Sequence, residues 1–498
     1  MARPLLLIHG YSASGLDFTP LCSALQAKGV NAVDLNIGNY VSLNNEISIK
    51  DIAEGLDRAF RLSGKFDAET EFDAIVHSTG MLVVRSWLTN YGAAKGSNAR
   101  LKRLKHLVGL APATWGSPQA HKGRTWLGAL VKGDRKIGPD FLNAGDEVLD
   151  GLELGSRFTW DLAHADLLGE QPYYDKGPDT PFVCVFIGNT PYDGLSSVAN
   201  DPGTDGTVRW SGCGLNTRKI IIDLTRTPNG ADSKEASRVS ITPWAGDRLE
   251  TPMIAVEGRN HATLISNPED GMVQLIVDFL AIGEQEDKTH DDWFGRAKAY
   301  GEPARKKMLI NPGRNAAGLS EDLKKYFGHL FHFSDVEMEG WQQFVVHARD
   351  ERGDGVSDYL IDVLCEKDGE FVPFAEMYTD VHAYKTDPSY RCFHIRLPEG
   401  ITRGDLPLQL RIHASTGTEL MAYQGYGSED TEKKLTAEAA PVVINVGPAR
   451  PGDPSIFHPF TTTLVEIILN REPAPLNAVG RIFKFLDPAG AGPSPAAV

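Results

Sequence analysis

The chain is short of cysteine, of positive charge and of long apolar runs, and each shortage removes a class of function. Its five cysteines (Cys22, Cys184, Cys213, Cys365 and Cys392) are scattered, odd in number and never spaced C-x-x-C. That pattern supplies neither a zinc site nor a disulfide framework, so no metal or other cofactor is expected. Lysine and arginine total 50 against 66 acidic residues, a formal charge of −16. Such a balance argues against nucleic acid as a partner and against charge-driven attachment to anionic membranes. No apolar run approaches the length of a membrane span, so no integral membrane segment is expected. Only Pro4–Ile8 precedes His9-Gly10, which is too short for the apolar region of a signal peptide. The expected setting is reducing and cytoplasmic, with export independent of a cleaved signal as the alternative.

What is present is a globular composition. The chain has 498 residues, 41% of them hydrophobic, with 50 Gly and 30 Pro, and its length corresponds to roughly three domains. The most informative stretch is Phe72–Gly92, FDAIVHSTGMLVVRSWLTNYG. Its first half, Phe72–His77, has the short apolar character of a buried strand. Its second half carries Leu82, Val83, Val84, Trp87 and Leu88, apolar on most sides, as in a helix packed between a sheet and a covering layer. Between them stands Ser78, in Val76-His77-Ser78-Thr79-Gly80. A serine on a sharp strand-to-helix turn projects its hydroxyl out of the sheet, with helical N–H groups behind it to face a developing oxyanion. The bland alternative is a serine that only caps the helix.

Pro4–Ile8 reads as the first strand, followed by the loop His9-Gly10-Tyr11-Ser12-Ala13-Ser14-Gly15. Its glycine spacing fits neither phosphate-binding pattern, G-x-G-x-x-G or G-x-x-x-x-G-K-[ST]. An oxyanion loop, with Gly10 bending the backbone so that the Tyr11 N–H faces the substrate, fits better; an ordinary tight turn is the alternative. A helix over Leu16–Lys28, a strand over Val30–Leu35 and a helix from Ser48 to Ser63 follow, and beyond the Ser78 turn the strand Leu107–Ala111. Short apolar strands alternating with amphipathic helices predict a parallel sheet covered on both faces. In such sheets ligands lie at the carboxyl ends of the strands, where His9-Gly10 and Ser78 both fall.

HGYSASG after the first strand, VHSTG at the turn and LAPATWGSP after the next strand together resemble α/β-hydrolase lipases and esterases, especially the small bacterial lipases and the inositol-deacylase-like branch. The resemblance covers residues 1–283; Val76 stands where Gly or Ala is usual. It implies an α/β-hydrolase fold with a Ser-acid-His triad in that chain order. Asp205, in the turn-rich loop 200–208, looks like the family's acid, with Asp201 as the other candidate; either could be a turn residue bonding its own backbone. His261, in Gly258-Arg259-Asn260-His261-Ala262 after the strand Met253–Val256, falls where the family's histidine belongs. The oxyanion hole implied is the backbone N–H of Tyr11 and Thr79. The long interval between Asp205 and His261 suggests an extra hairpin around 217–245. Residues 113–178 break the strand–helix rhythm where the family inserts a cap. Trp115, Trp126 and Trp160 are candidate substrate-binding residues there, with packing of a small helical layer as the alternative.

Residues 284–305 are charged and poor in periodicity and read as a linker. Over 306–486 the helical rhythm disappears, and about seven short strands separated by turn clusters suggest an all-β sandwich. Residues 487–498 are rich in Pro, Ala and Gly and read as a flexible tail. The resulting expectation is a serine carboxylic-ester hydrolase acting on a small-molecule or lipid ester, with lipid-surface contact through the cap. The same machinery would serve a phospholipase, a polyester hydrolase or an acyltransferase; the alternative of another class is a binding protein on a hydrolase scaffold.

Overall fold

The computed structural model describes residues 3–8, 18–30, 32–35, 45–63, 70–90, 99–120, 146–169, 173–174, 179–192, 201–227, 238–241, 251–283, 289–309, 338–374, 377–402, 407–418, 420–427, 432–436, 442–445 and 456–473. Strand β1 (Leu5–Ile8) is buried along its whole length and pairs in parallel with β2 (Ala32–Leu35) on one side and β3 (Phe72–His77) on the other. Strands β4 (Leu104–Leu110), β5 (Phe182–Gly188) and β8 (Met253–Val256) extend the sheet in parallel, in the order β2-β1-β3-β4-β5-β8. Strands apolar on both faces need cover on both faces, and the intervening helices supply it. These are α1 (Thr19–Ala27), α2 (Ile49–Ser63), α3 (Gly80–Asn90), α4 (Ala99–Arg103), α5 (Asp146–Leu152), α6 (Arg157–Asp166), α7 (Thr263–Ser266) and α8 (Asp270–Leu280). Helix α2 begins at the expected Ser48, whose N–H donates to Asp51 Oδ2 at 2.9 Å while Asp51 N–H donates back to Ser48 Oγ at 3.3 Å. This reciprocal cap satisfies two N–H groups at the helix start and holds the Asp51 carboxyl below its usual range.

The segment expected as a linker is instead mostly a helix, α9 (His290–Met308). Thr289 caps it, Asp291 and Asp292 lie in its first turn and Arg305, Lys306 and Lys307 in its last, the charge order that suits the helix dipole. Its buried stripe is Trp293, Ala297, Gly301, Ala304 and Met308. Small residues at those positions let the helix lie directly on β8, where a Cβ on Gly301 would come within 3.2 Å of Ala255 N. A stripe made largely of Ala and Gly carries little hydrophobic signal, so the sequence looked aperiodic. The helix thereby packs on the edge strand β8 of the parallel sheet.

The remaining strands form two packed sheets. One is antiparallel, in the order β11 (Glu370–Pro373), β10 (Asp358–Lys367), β14 (Leu408–Ser415) and β17 (Val442–Asn445). The other runs β12 (Tyr378–Ala383), β13 (Tyr390–Pro398), β9 (Met338–Asp350) and β18 (Thr461–Glu472). Beyond β18 it divides. Strand β15 (Ala422–Tyr426), with β16 (Glu432–Lys434), pairs with the last turn of β18, while β6 (Thr217–Asp223) pairs with the rest in parallel. Strand β6 comes from the amino-terminal half, where it forms the expected hairpin with β7 (Val239–Ile241). Ile220 and Ile222 of β6 enter the sandwich core beside Val346, Ile361, Phe393, Ile412 and Ile467.

Because β18 is hydrogen-bonded to β9 on one edge and to β6 on the other, the two halves share one sheet and should unfold together. Calorimetry of the full chain is expected to show one transition, and two separated transitions would contradict the shared sheet. Truncating the fully buried Ile467 to Ala should destabilise that transition by about 2–5 kcal/mol rather than splitting it.

Candidate functional site

At the carboxyl end of β3 the backbone turns sharply, and Ser78 takes φ +53°. A non-glycine residue in the left-handed region is strained and persists only where its surroundings enforce it. Here Ser78 N–H donates to Leu110 O at 3.2 Å, and Ser78 O accepts from Ala113 N–H at 3.0 Å, which clamps the turn against the end of β4. Helix α3 follows at once, and its first residue cannot carry a side chain, since a Cβ on Gly80 would lie 2.7 Å from Ile8 O. Val76 fits the close approach of strand and helix and is fully buried. Thr79 O accepts from Leu82 and Val83 N–H at 2.9 and 3.2 Å, so Thr79 stands at the start of the helix, where N–H groups lack intrahelical acceptors.

Two other loops at the same end of the sheet carry Asp205 and His261. The Asp205 carboxylate is fully buried, and its Oδ1 accepts the N–H groups of Thr207 at 3.0 Å and Val208 at 2.9 Å. Its Oδ2 lies 3.1 Å from His261 Nδ1, and Asp205 O accepts His261 N–H at 3.1 Å. A carboxylate can only accept, so Nδ1 carries the proton and Nε2 is left as an acceptor. Asp201, the other candidate acid, uses its carbonyl to accept the Thr204 hydroxyl at 2.7 Å within the loop turn. His77, the residue before Ser78, donates from Nε2 to His261 O at 3.0 Å, and the two imidazole rings lie 4.6 Å apart. Through that contact the Ser78 turn and the His261 loop are packed directly on one another.

Of the other expected site residues, Tyr11 and Trp126 lie outside the described residues. Trp115 is fully buried and donates its indole N–H to Gly214 O at 3.1 Å, with the Arg85 guanidinium over its ring at 5.7 Å. Trp160, on α6, packs edge-on against His347 of β9 and Tyr390 of β13, with Lys219 of β6 above its ring. Both tryptophans make packing contacts, and those of Trp160 join α6 to the β domain. The physical reason is that a large amphipathic ring satisfies a layer boundary as well as it lines a pocket, and sequence does not separate the two.

The sequence reading passed over a buried charge network beside the turn. Arg85, in the middle of α3, forks onto Asp166 at the end of α6, with contacts of 2.7 and 2.8 Å, and donates to Thr114 O at 2.7 Å. Tyr174 donates to the same carboxylate at 2.8 Å. Burial alone would push the guanidinium's pKa down, but the Asp166 charge raises it. Burial and the same charge push the Tyr174 hydroxyl well up, so it stays protonated and donating. An arginine inside the mostly apolar LVVRSW was the available signal.

No protein-family model and no curated sequence matches the chain. Among solved structures, phospholipase PlaB from Legionella pneumophila is similar at 19% identity, with a TM-score of 0.70 over 99% of this chain and 97% of that one. The same phospholipase in complex with thio-NAD gives 19% identity and a TM-score of 0.69, covering 99% of both chains. A Bacillus licheniformis lipase in mature form overlaps 56% of this chain and 93% of its own, at 14% identity and a TM-score of 0.35. The strand order, the turn after β3 and the full-length overlap with the Legionella enzyme agree: the chain has the α/β-hydrolase fold, extended by a β domain that shares a sheet with it.

Proposed function

We propose that the chain is a serine hydrolase of carboxylic esters, with Ser78 as nucleophile, His261 as general base and Asp205 as the acid that orients it. The observation that carries this reading is the strained Ser78 turn packed against a histidine whose Nδ1 is held by a buried aspartate. Ser78 Oγ attacks the ester carbonyl and passes its proton to His261 Nε2, while Asp205 stabilises the imidazolium. The oxyanion is received by the Thr79 N–H at the start of α3 and by the Tyr11 N–H of the loop after β1. His261 returns the proton to the departing alcohol, leaving an acyl-enzyme. Water activated by His261 then releases the acid. A lipid ester, and a phospholipid in particular, is the substrate class favoured, because the similarity to the Legionella phospholipase runs through both halves of the chain.

Ser78→Ala is expected to abolish turnover with the melting temperature retained, and a fluorophosphonate should attach at Ser78. Labelling at another serine, with normal activity in the Ala variant, would overturn the assignment. Asp205→Asn keeps the shape but offers His261 Nδ1 the wrong hydrogen-bond partner, so kcat should fall by about 10³- to 10⁴-fold. Vesicles of phosphatidylcholine assayed beside a chain-length series of p-nitrophenyl esters separate the substrate classes. A rate on vesicles no higher than on the acetate ester counts against the phospholipid reading. Trp160→Ala should lower the melting temperature and depress all chain lengths alike, whereas a loss confined to long chains would return Trp160 to the acyl site.

A further inference from the structure

We propose that the β domain belongs to the catalytic machinery: Asp380 on its edge strand β12 acts through Arg209 to hold the hairpin that presents Asp205 to His261. The inference rests on reading Asp205 as the triad acid.

Residues Gly203–Trp210 form a tight hairpin. Thr204 and Arg209 pair across its neck as an antiparallel bridge, and Trp210 N–H donates to Gly203 O at 2.9 Å. The tip is closed by Asp205 N–H on Val208 O at 3.2 Å and by the two N–H groups on the Asp205 carboxylate. Gly206, at φ +99°, makes the reversal possible. With so few residues between neck and tip, whatever fixes Arg209 fixes the carboxylate of Asp205.

The neck is held from the β domain. The Arg209 side chain is 2% exposed and runs into that domain, where its guanidinium pairs with Asp380 and Nη1 donates to Cys392 Sγ of β13 at 3.4 Å. On the other arm of the hairpin, Gly203 lies against Trp341 of β9 and His394 of β13, whose rings stack at 5.0 Å. A Cβ there would come within 2.7 Å of the indole and 2.8 Å of the imidazole. The groups around the guanidinium are not electrically equivalent. Burial pushes the Cys392 thiol up to about 11, and burial with the nearby Arg209 charge pushes His394 well below its ordinary value. Both are therefore neutral near pH 7, and Asp380 is the one carboxylate paired with Arg209 among the described residues. A buried guanidinium deprived of its only counter-charge is strongly disfavoured, and the hairpin must shift for it to reach water. The Asp380 side chain itself is 53% exposed, so replacing it removes charge without opening a cavity.

The same strand offers an internal control. His382, two residues along β12, meets Glu153 beyond α5 at 3.0 Å, a second contact of this strand with the amino-terminal half. A merely structural role for β12 would make its loss equivalent to loss of the Asp380 charge.

The test uses full-length protein and three readouts: kcat and KM on p-nitrophenyl butyrate, the rate of Ser78 phosphonylation by a fluorophosphonate, and the melting temperature. D380N is expected to lower kcat and the phosphonylation rate together by about 10- to 100-fold, with KM unchanged, since displacement of a catalytic group by about 1 Å costs on that order. D380E should recover most of the loss, R209K should fall between wild type and D380N, and H382Q should match wild type in kcat and phosphonylation. R209K keeps the charge pair and so reports on the hairpin even if D380N proves too unstable to assay. Wild-type kcat and phosphonylation in D380N, or in R209K should D380N not fold, would overturn the proposal. So would an equal loss in H382Q, or a D380E variant no better than D380N. Native protein that is not phosphonylated at Ser78 would instead sink the serine-hydrolase reading, and this inference with it.

Discussion

Strand β18 is paired along Thr461–Leu469 with β9 and along Thr462–Ile468 with β6, and most of the architecture follows from that double pairing. A central strand has no spare edge, so every backbone group on it is committed to a neighbour from one half of the chain or the other. Strand β6 departs from the Asp205 hairpin through the short 3₁₀ turn Trp210–Gly212, so the sheet of the β domain begins where that loop ends. Thr462 Oγ1 donates to Ser211 O at 2.9 Å and accepts from Gln343 Nε2 at 2.9 Å, which ties that turn to both β18 and β9. A loop that must hold one carboxylate at one imidazole is thus mounted on a rigid sheet rather than left free at the protein surface.

The amino-terminal half places its own charges with the same economy. Arg85, Asp166 and Tyr174 are buried together, and removing one partner would leave an uncompensated charge or an orphaned donor. Their effect is to join the middle of α3, the helix that follows the Ser78 turn, to the end of α6. Helix α6 and the β domain then meet through Trp160, which contacts β9 and β13 from α6. Helices α5 and α6 in this way link the two halves.

Particular residues explain what was and was not legible in the sequence. The strands β1, β5 and β8 are unbroken apolar runs, and β3 and β4 are mostly apolar, because a parallel sheet is covered on both faces, and such runs read the same in one dimension as in three. Strand β12, Tyr-Thr-Asp-Val-His-Ala, was invisible because it lies at a sheet edge, half exposed, where polar residues are admitted to make contacts with other elements. Helix α9 was hidden by the Ala and Gly of its buried stripe. The packing contacts of Trp115 and Trp160 were not legible because aromatic residues mark boundaries between layers as readily as binding walls.

The sequence by itself determined the alternation of strands and helices, the turn at Ser78 and the identity of the chemical groups, since these depend on neighbours within a few residues and on local backbone sterics. Only the tertiary structure decided that Asp205 and not Asp201 meets His261, that β6 leaves the hydrolase to complete another sheet, and that Arg209 finds its counter-charge on β12. Each of those outcomes joins residues tens to hundreds of positions apart. They are selected by burial, hydrogen-bond satisfaction and charge neutralisation in the packed state, and local sequence carries little record of them.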